Sequence, residues 1–256
     1  MANEINMLLS KYQLFLIVLV RASGVFIVSP FFSSQNISNT VKVGLTVFIS
    51  IILTLTLDVD IQALEISTIV LIIKELMAGM IIGFICYLFF TTFYTMGQIV
   101  DMSIGFGMVN VIDPQNRIQV PLMGNFYYIL AFLIFLGING HHAIIKALMD
   151  SYKFIPIGGF TFDENIVFLI IEILGRIFAI GFMISTPIVI SVFLLNLVLG
   201  ILVRTIPQMN VFVVGLPLKI LVGLLIMMIT MPIFSSIVSK LVTLMWDKIY
   251  EFYKIL

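Results

Sequence analysis

Five stretches of the chain, residues 22–41, 76–100, 118–145, 177–203 and 220–239, contain no Asp, Glu, Lys or Arg. Each reaches the roughly 20 residues that cross a bilayer as a helix. Alternating apolar and polar strands of about 10 residues, the signature of an outer-membrane barrel, do not occur. Helices are then the remaining way to satisfy the backbone in lipid. Composition agrees: 61% of the 256 residues are hydrophobic and 10% charged, where a soluble domain carries about 25% charged residues. The expected class is all-α, a membrane-associated protein of long, kinked helical hairpins.

Hydrophobic continuity predicts about six apolar helices, near residues 8–32, 41–57, 67–100, 120–152, 165–203 and 211–253. Pro187 interrupts the fifth, and Pro217 and Pro232 the sixth. A proline removes one backbone hydrogen bond and its ring clashes with the preceding turn, so each should mark a bend or break. The second helix is short for a full span. Lys and Arg are scattered over almost every connection, so the positive-inside rule gives no firm topology.

Net charge is zero, with 13 acidic and 13 basic residues, and no basic block points to nucleic acid. The single Cys86 lies in an apolar run, which excludes a disulfide within the chain. His141 and His142 are adjacent and project about 100° apart on a helix, with no carboxylate or thiol at ligand spacing, so a polar interfacial pair is the better reading than a metal site. No nucleophile–base pair is visible, so the chain is not expected to be an enzyme or to need a cofactor.

Charges inside apolar helices are costly and need partners. Arg21, Lys74, Glu75, Glu172, Arg176 and Arg204 are the candidates, read as structural or intersubunit ion pairs in preference to a proton path. Glu172 and Arg176 stand at i,i+4 with the acid first, the favourable order. Lys74 and Glu75 are neighbours and must each find a partner elsewhere.

Residues 101–117 form the most informative connection. Met102, Ile104, Phe106, Met108 and Val109 make it too apolar for a solvent loop, Gly105 and Gly107 free the backbone beside Phe106, and Asp113-Pro114 is strong turn chemistry. Both buried packing and a flexible hydrophobic plug fit this composition.

With FGMVNVIDP at 106–114, GINGHH at 137–142, IPIG at 155–158, NLVLGILVRTIP at 196–207 and QMNVFVVGLP at 208–217, in this order, the chain resembles the FliR family of flagellar export-gate subunits. Their injectisome counterpart is the SctT family. The resemblance covers about residues 10–250. It implies one domain over residues 1–256, with N-terminal helices to about 100, a plug loop at 101–119 and C-terminal helices from 120. It also implies a helical assembly with FliP-like and FliQ-like subunits, an FlhB-like subunit at the entrance, unfolded exported proteins in transit, and a place in the inner membrane within the flagellar basal body. The loop around Phe106 corresponds to the family's channel plug. Family loops are often richer in phenylalanine; here Met102, Ile104, Met108 and Val109 support a single Phe. An injectisome subunit and a small-solute transporter are the alternative readings, the latter weakened by the lack of an inverted repeat.

Overall fold

The computed structural model describes residues 2–33, 37–57, 67–108, 121–208 and 210–256, with only the backbone for residues 2–10 and a few others, Met108 among them. Every regular element in these residues is helical: α1 Ala2–Val28, α2 Pro30–Ser33, α3 Asn39–Thr56, α4 Thr68–Ile104, a 3-10 turn Phe106–Met108, α5 Leu122–Gly137, α6 Gly140–Phe154, α7 Glu164–Thr205 and α8 Val211–Ile255. The all-helical, apolar architecture expected from the sequence is the one observed. α1, α3, α4, α7 and α8 are each long and apolar enough to cross a membrane.

The expected fourth helix is two. Asn139 takes a left-handed conformation, φ 58° and ψ 30°, and ends α5 before α6 begins. A left-handed residue cannot continue a right-handed helix, and Asn tolerates that conformation better than other residues with a Cβ. Continuity of apolar residues hid the break.

None of the three prolines breaks its helix: α7 continues through Pro187 and α8 through Pro217 and Pro232. Pro187 and Pro232 each leave one carbonyl four residues earlier, those of Met183 and Met228, without its helical N–H, and nearby hydroxyls bond the carbonyl one residue before each. Ser185 donates to the carbonyl of Phe182 at 2.8 Å, joined by Thr186 at 2.9 Å. Thr230 donates to Met227 at 3.0 Å in the same relation to Pro232. These are the ordinary back-bonds of Ser and Thr to the preceding turn.

Two compact units are built from interleaved segments. The first comprises Met1–Leu88, Asn139–Ile173 and Thr243–Leu256; the second comprises Phe89–Ile138 and Leu174–Val242. In the first, α1 and α4 meet backbone to backbone. A Cβ on Gly24 would stand 2.8 Å from the carbonyl oxygen of Leu76, one on Gly83 the same distance from that of Val25, and one on Gly79 would collide with the carbonyl of Arg21. Close approach through small residues is how apolar helices pack when lipid offers no hydrophobic drive.

The second unit is held by aromatic packing. Phe90 meets Phe135 edge-on with centroids 5.1 Å apart, and Phe234 contacts both Phe93 and Tyr127. Such edge-to-face pairs add about 0.5–1.5 kcal/mol beyond the area they bury. Much of α7 and α8 faces outward with Phe178, Phe182, Phe193, Met228 and Ile229 exposed, a surface suited to lipid or to other apolar helices.

Candidate functional site

Arg21 on α1 and Glu75 on α4 form the central polar cluster of the first unit. Both side chains are wholly buried. Arg21 donates from Nε to Glu75 Oε2 at 2.6 Å and from Nη2 to Oε1 at 3.0 Å. Its Nη1 donates to Ser151 Oγ at 3.2 Å and to the carbonyl of Ile155 at 3.0 Å. The Tyr152 ring lies 4.1 Å from the guanidinium carbon. Only a planar fork of donors can serve the carboxylate, hydroxyl and carbonyl at once, which is why arginine stands here and not lysine.

Glu75 also accepts the Gly158 N–H at 2.9 Å, while Lys74 Nζ donates to the Gly158 carbonyl at 3.1 Å. Gly158 has φ 76°, a conformation that a side chain would strain. Three residues singled out in the sequence, Arg21, Lys74 and Glu75, therefore converge on the turn at 155–158. The guanidinium and carboxylate are fully engaged in hydrogen bonds that join α1 to α4 and to the turn at 155–158.

Glu172 finds a partner on another helix that the i,i+4 reading did not anticipate. Lys248 of α8, almost wholly buried, donates to Glu172 Oε1 and to Glu251 Oε2, each at 2.7 Å. The Lys248–Glu251 spacing of i,i+3 was the available sequence signal for this node. Tyr250 and Tyr253 extend it, donating to Asp150 Oδ2 at 3.0 Å and to the Ala147 carbonyl at 2.8 Å. Arg204 is exposed in the last turn of α7.

The second unit carries the start of the candidate plug. Residues 101–104, expected in a loop, are the final turn of α4. The helix ends at Gly105, whose N–H still bonds the Asp101 carbonyl at 3.1 Å and whose φ is 100°. The glycine, not the preceding acidic residue, is the stop signal. Ile104 is fully buried, and a Cβ on Gly223 of α8 would lie 2.5 Å from its Cδ1. Ile104 is thus a packing anchor. Met102 is 77% exposed, and Phe106 and Gly107 are half-buried in the 3-10 turn. Val109, Asp113 and Pro114 lie outside the described residues.

Asp101 holds both feet of this connection. Its buried carboxylate accepts the Met123 N–H at 3.0 and 3.1 Å and the Gly124 N–H at 3.4 Å, capping α5 from a different helix. Helix N-termini leave such N–H groups unpaired and favour negative charge. Beside this bond, a Cβ on Gly97 would collide with the backbone of Gly124. Next to the first foot is a cavity of about 410 Å³, lined by Met102, Ser103 and Gly105 together with Asn196, Gly200 and Lys219.

Among the described residues no three of His, Cys, Asp and Glu are grouped to hold a metal ion. Long apolar helices, tied internally by ion pairs and glycine contacts, define an all-helical membrane protein. Residues 12–245 match the family described as bacterial export proteins, family 1. The chain belongs to that family. It is 35% identical to the flagellar biosynthetic protein FliR of Bacillus subtilis (strain 168), over 93% of this chain and 94% of that protein. It is 29% identical to FliR of Escherichia coli (strain K12), over 95% of each. Against the surface presentation of antigens protein SpaR of Shigella sonnei the identity is 26%, over 88% of this chain and 90% of that protein.

Proposed function

We propose that this chain is a structural and gating subunit of the flagellar protein-export channel, non-enzymatic and resident in the bacterial inner membrane. It assembles with FliP-like and FliQ-like subunits, with an FlhB-like subunit at the entrance, and unfolded exported proteins pass through. The 35% identity to FliR of Bacillus subtilis, against 26% to SpaR, favours the flagellar apparatus over the injectisome.

The observation that carries the gating role is the Asp101 clamp. It joins the end of α4 to the start of α5, the two ends of an apolar connection. The plug is assigned to the segment from Phe106 through Val109 to Asp113 and Pro114, with Met102 flanking it and Gly105 and Gly107 as its pivots. Ile104 secures the base. Each fully buried large apolar side chain contributes roughly 1.5–3 kcal/mol, so three or four in a seal would block small ions and still yield to a moving chain.

The test is deletion of residues 106–112, which spares Asp101 and Ile104. Cells carrying it should become permeable to ions and small solutes while the complex still assembles, and Phe106→Ala alone should leak less. Conductance at the closed-channel level in an assembled deletion complex would reduce the loop to packing. Removal of the whole chain should abolish secretion of filament proteins; normal filaments would overturn the export role itself.

A further inference from the structure

Pro187 and Pro232 stand on different helices and border the same space. A cavity of about 160 Å³ in the second unit is lined by Pro187 of α7 and by Met231 and Ile233, the neighbours of Pro232 on α8. Further along, Asn196 and Gly200 of α7 share the 410 Å³ cavity with Gly215 and Lys219 of α8. Residue numbers rise on one helix as they fall on the other, so residues 188–205 and 211–231 are the two arms of one antiparallel hairpin. Each arm joins the rest of the unit at a turn that a proline weakens, where the carbonyl of Met183 or Met228 loses its helical N–H. Among the described residues of the arms, Ile188, Val192, Leu199, Gly215, Gly223 and Met227 are buried. The hairpin touches the end of α4 where Gly223 meets Ile104 and Leu216 meets Gly105, and the larger cavity lies beside those contacts.

We propose that this hairpin swings as one body about a hinge at Pro187 and Pro232, closing the larger cavity onto Met102, Ser103 and Gly105. Close-packed interiors hold few voids larger than a water molecule; this hairpin has one at its weakened turns and another near its tip. A hinge needs a few backbone positions that absorb the change in angle, and proline is the commonest cause of a sharp bend in a helix. A proline on one arm alone would bend that arm against the other. Two at matched heights let both arms turn together. The smaller cavity receives the side chains that the bend displaces, and Met96 and Met231 on its walls are unbranched and adaptable. Few buried contacts hold the arms in place, the mark of a segment that moves at low cost. Because Ile104 anchors the base of the connection on α8, the swing changes the footing of the gate, a consequence that rests on the gating role proposed above.

The experiment uses the full chain, co-expressed with its assembly partners, with spin labels on cysteines placed at the exposed positions Ile129 and Val198. Cys86 is buried and stays unlabelled. Val198 lies roughly 16 Å past Pro187 along α7, so a swing of about 20° moves it by about 6 Å. Pulsed dipolar spectroscopy should therefore give two distances for the pair. Pro187→Ala with Pro232→Ala should merge them into one, whereas Pro217→Ala, inside the swinging arm, should leave both. Gly200→Phe, which fills the larger cavity, should remove one of the two. A single narrow distance in the parent, or two that survive the double proline replacement, would overturn the hinge. Equal narrowing by Pro217→Ala would overturn its place at the paired prolines. The double variant should also slow secretion of filament proteins, and undiminished secretion with the distances merged would detach the hinge from the gate. Conductance of the 106–112 deletion judges the gate without reference to these distances, so the two readings fail separately. Elution of each variant with the assembled complex separates these outcomes from misfolding.

Discussion

Arg21 and Glu75 lie 54 positions apart and are joined through two parallel hydrogen bonds in a site closed to solvent. Taking both charges out of water is expensive, and the pair repays that cost only because every neighbouring group is also matched. Gly79, four residues past Glu75, brings its backbone against the carbonyl of Arg21 itself. The ion pair and the helix contact therefore stand or fall together.

Removing one partner should be far worse than removing both. Glu75→Gln or Arg21→Ala strands a buried charge or its donors, and should cost about 3–5 kcal/mol. The double variant Arg21→Met with Glu75→Leu should recover most of this. Thermal melting of the purified complex measures both; a neutral Glu75→Gln would sink the account.

Gly79→Ala should sharply reduce accumulation in the membrane, because the new methyl group meets backbone that cannot swing aside. Gly44→Ala and Gly175→Ala are the matched controls, with open space around each. They should accumulate as the parent does. Immunoblots of membrane fractions give the comparison, and equal levels for all three would dismiss the close contact.

Asp101→Ala should release the cap on α5 at a cost of about 1–2 kcal/mol, whereas Asp101→Asn should retain much of it. The local readout is proteolysis between residues 109 and 120, expected to quicken in the alanine variant first. Cleavage of the alanine variant at the parent's rate would show that the carboxylate does not hold the connection.

The long helices were legible because apolar continuity over 20 residues has few other outcomes. The charges at 21, 74 and 75 were legible as needing partners, but their mutual geometry was not, since sequence distance says nothing about which helices meet. Gly79 and Gly83, four apart on an apolar helix, were a readable packing signal in their own right. The division at Asn139 was signalled by Gly137-Ile138-Asn139-Gly140 and the drop in hydrophobicity that begins with His141, but the charge-free run from 118 to 145 was read through it. At 101–104 the acidic residue suggested a loop; its carboxylate is buried as the cap of another helix, a tertiary use that local pattern cannot reveal.

The cap at Asp101 has a mechanical corollary. Met108 and Pro121 are the nearest described positions on either side of the tip, and both ends are moored to the same unit. A strand tied at both ends can extend no further than half its drawn-out length, here roughly 20 Å at about 3.4 Å per residue. For the gate proposed above, that length sets a tether that an advancing polypeptide could displace without carrying away.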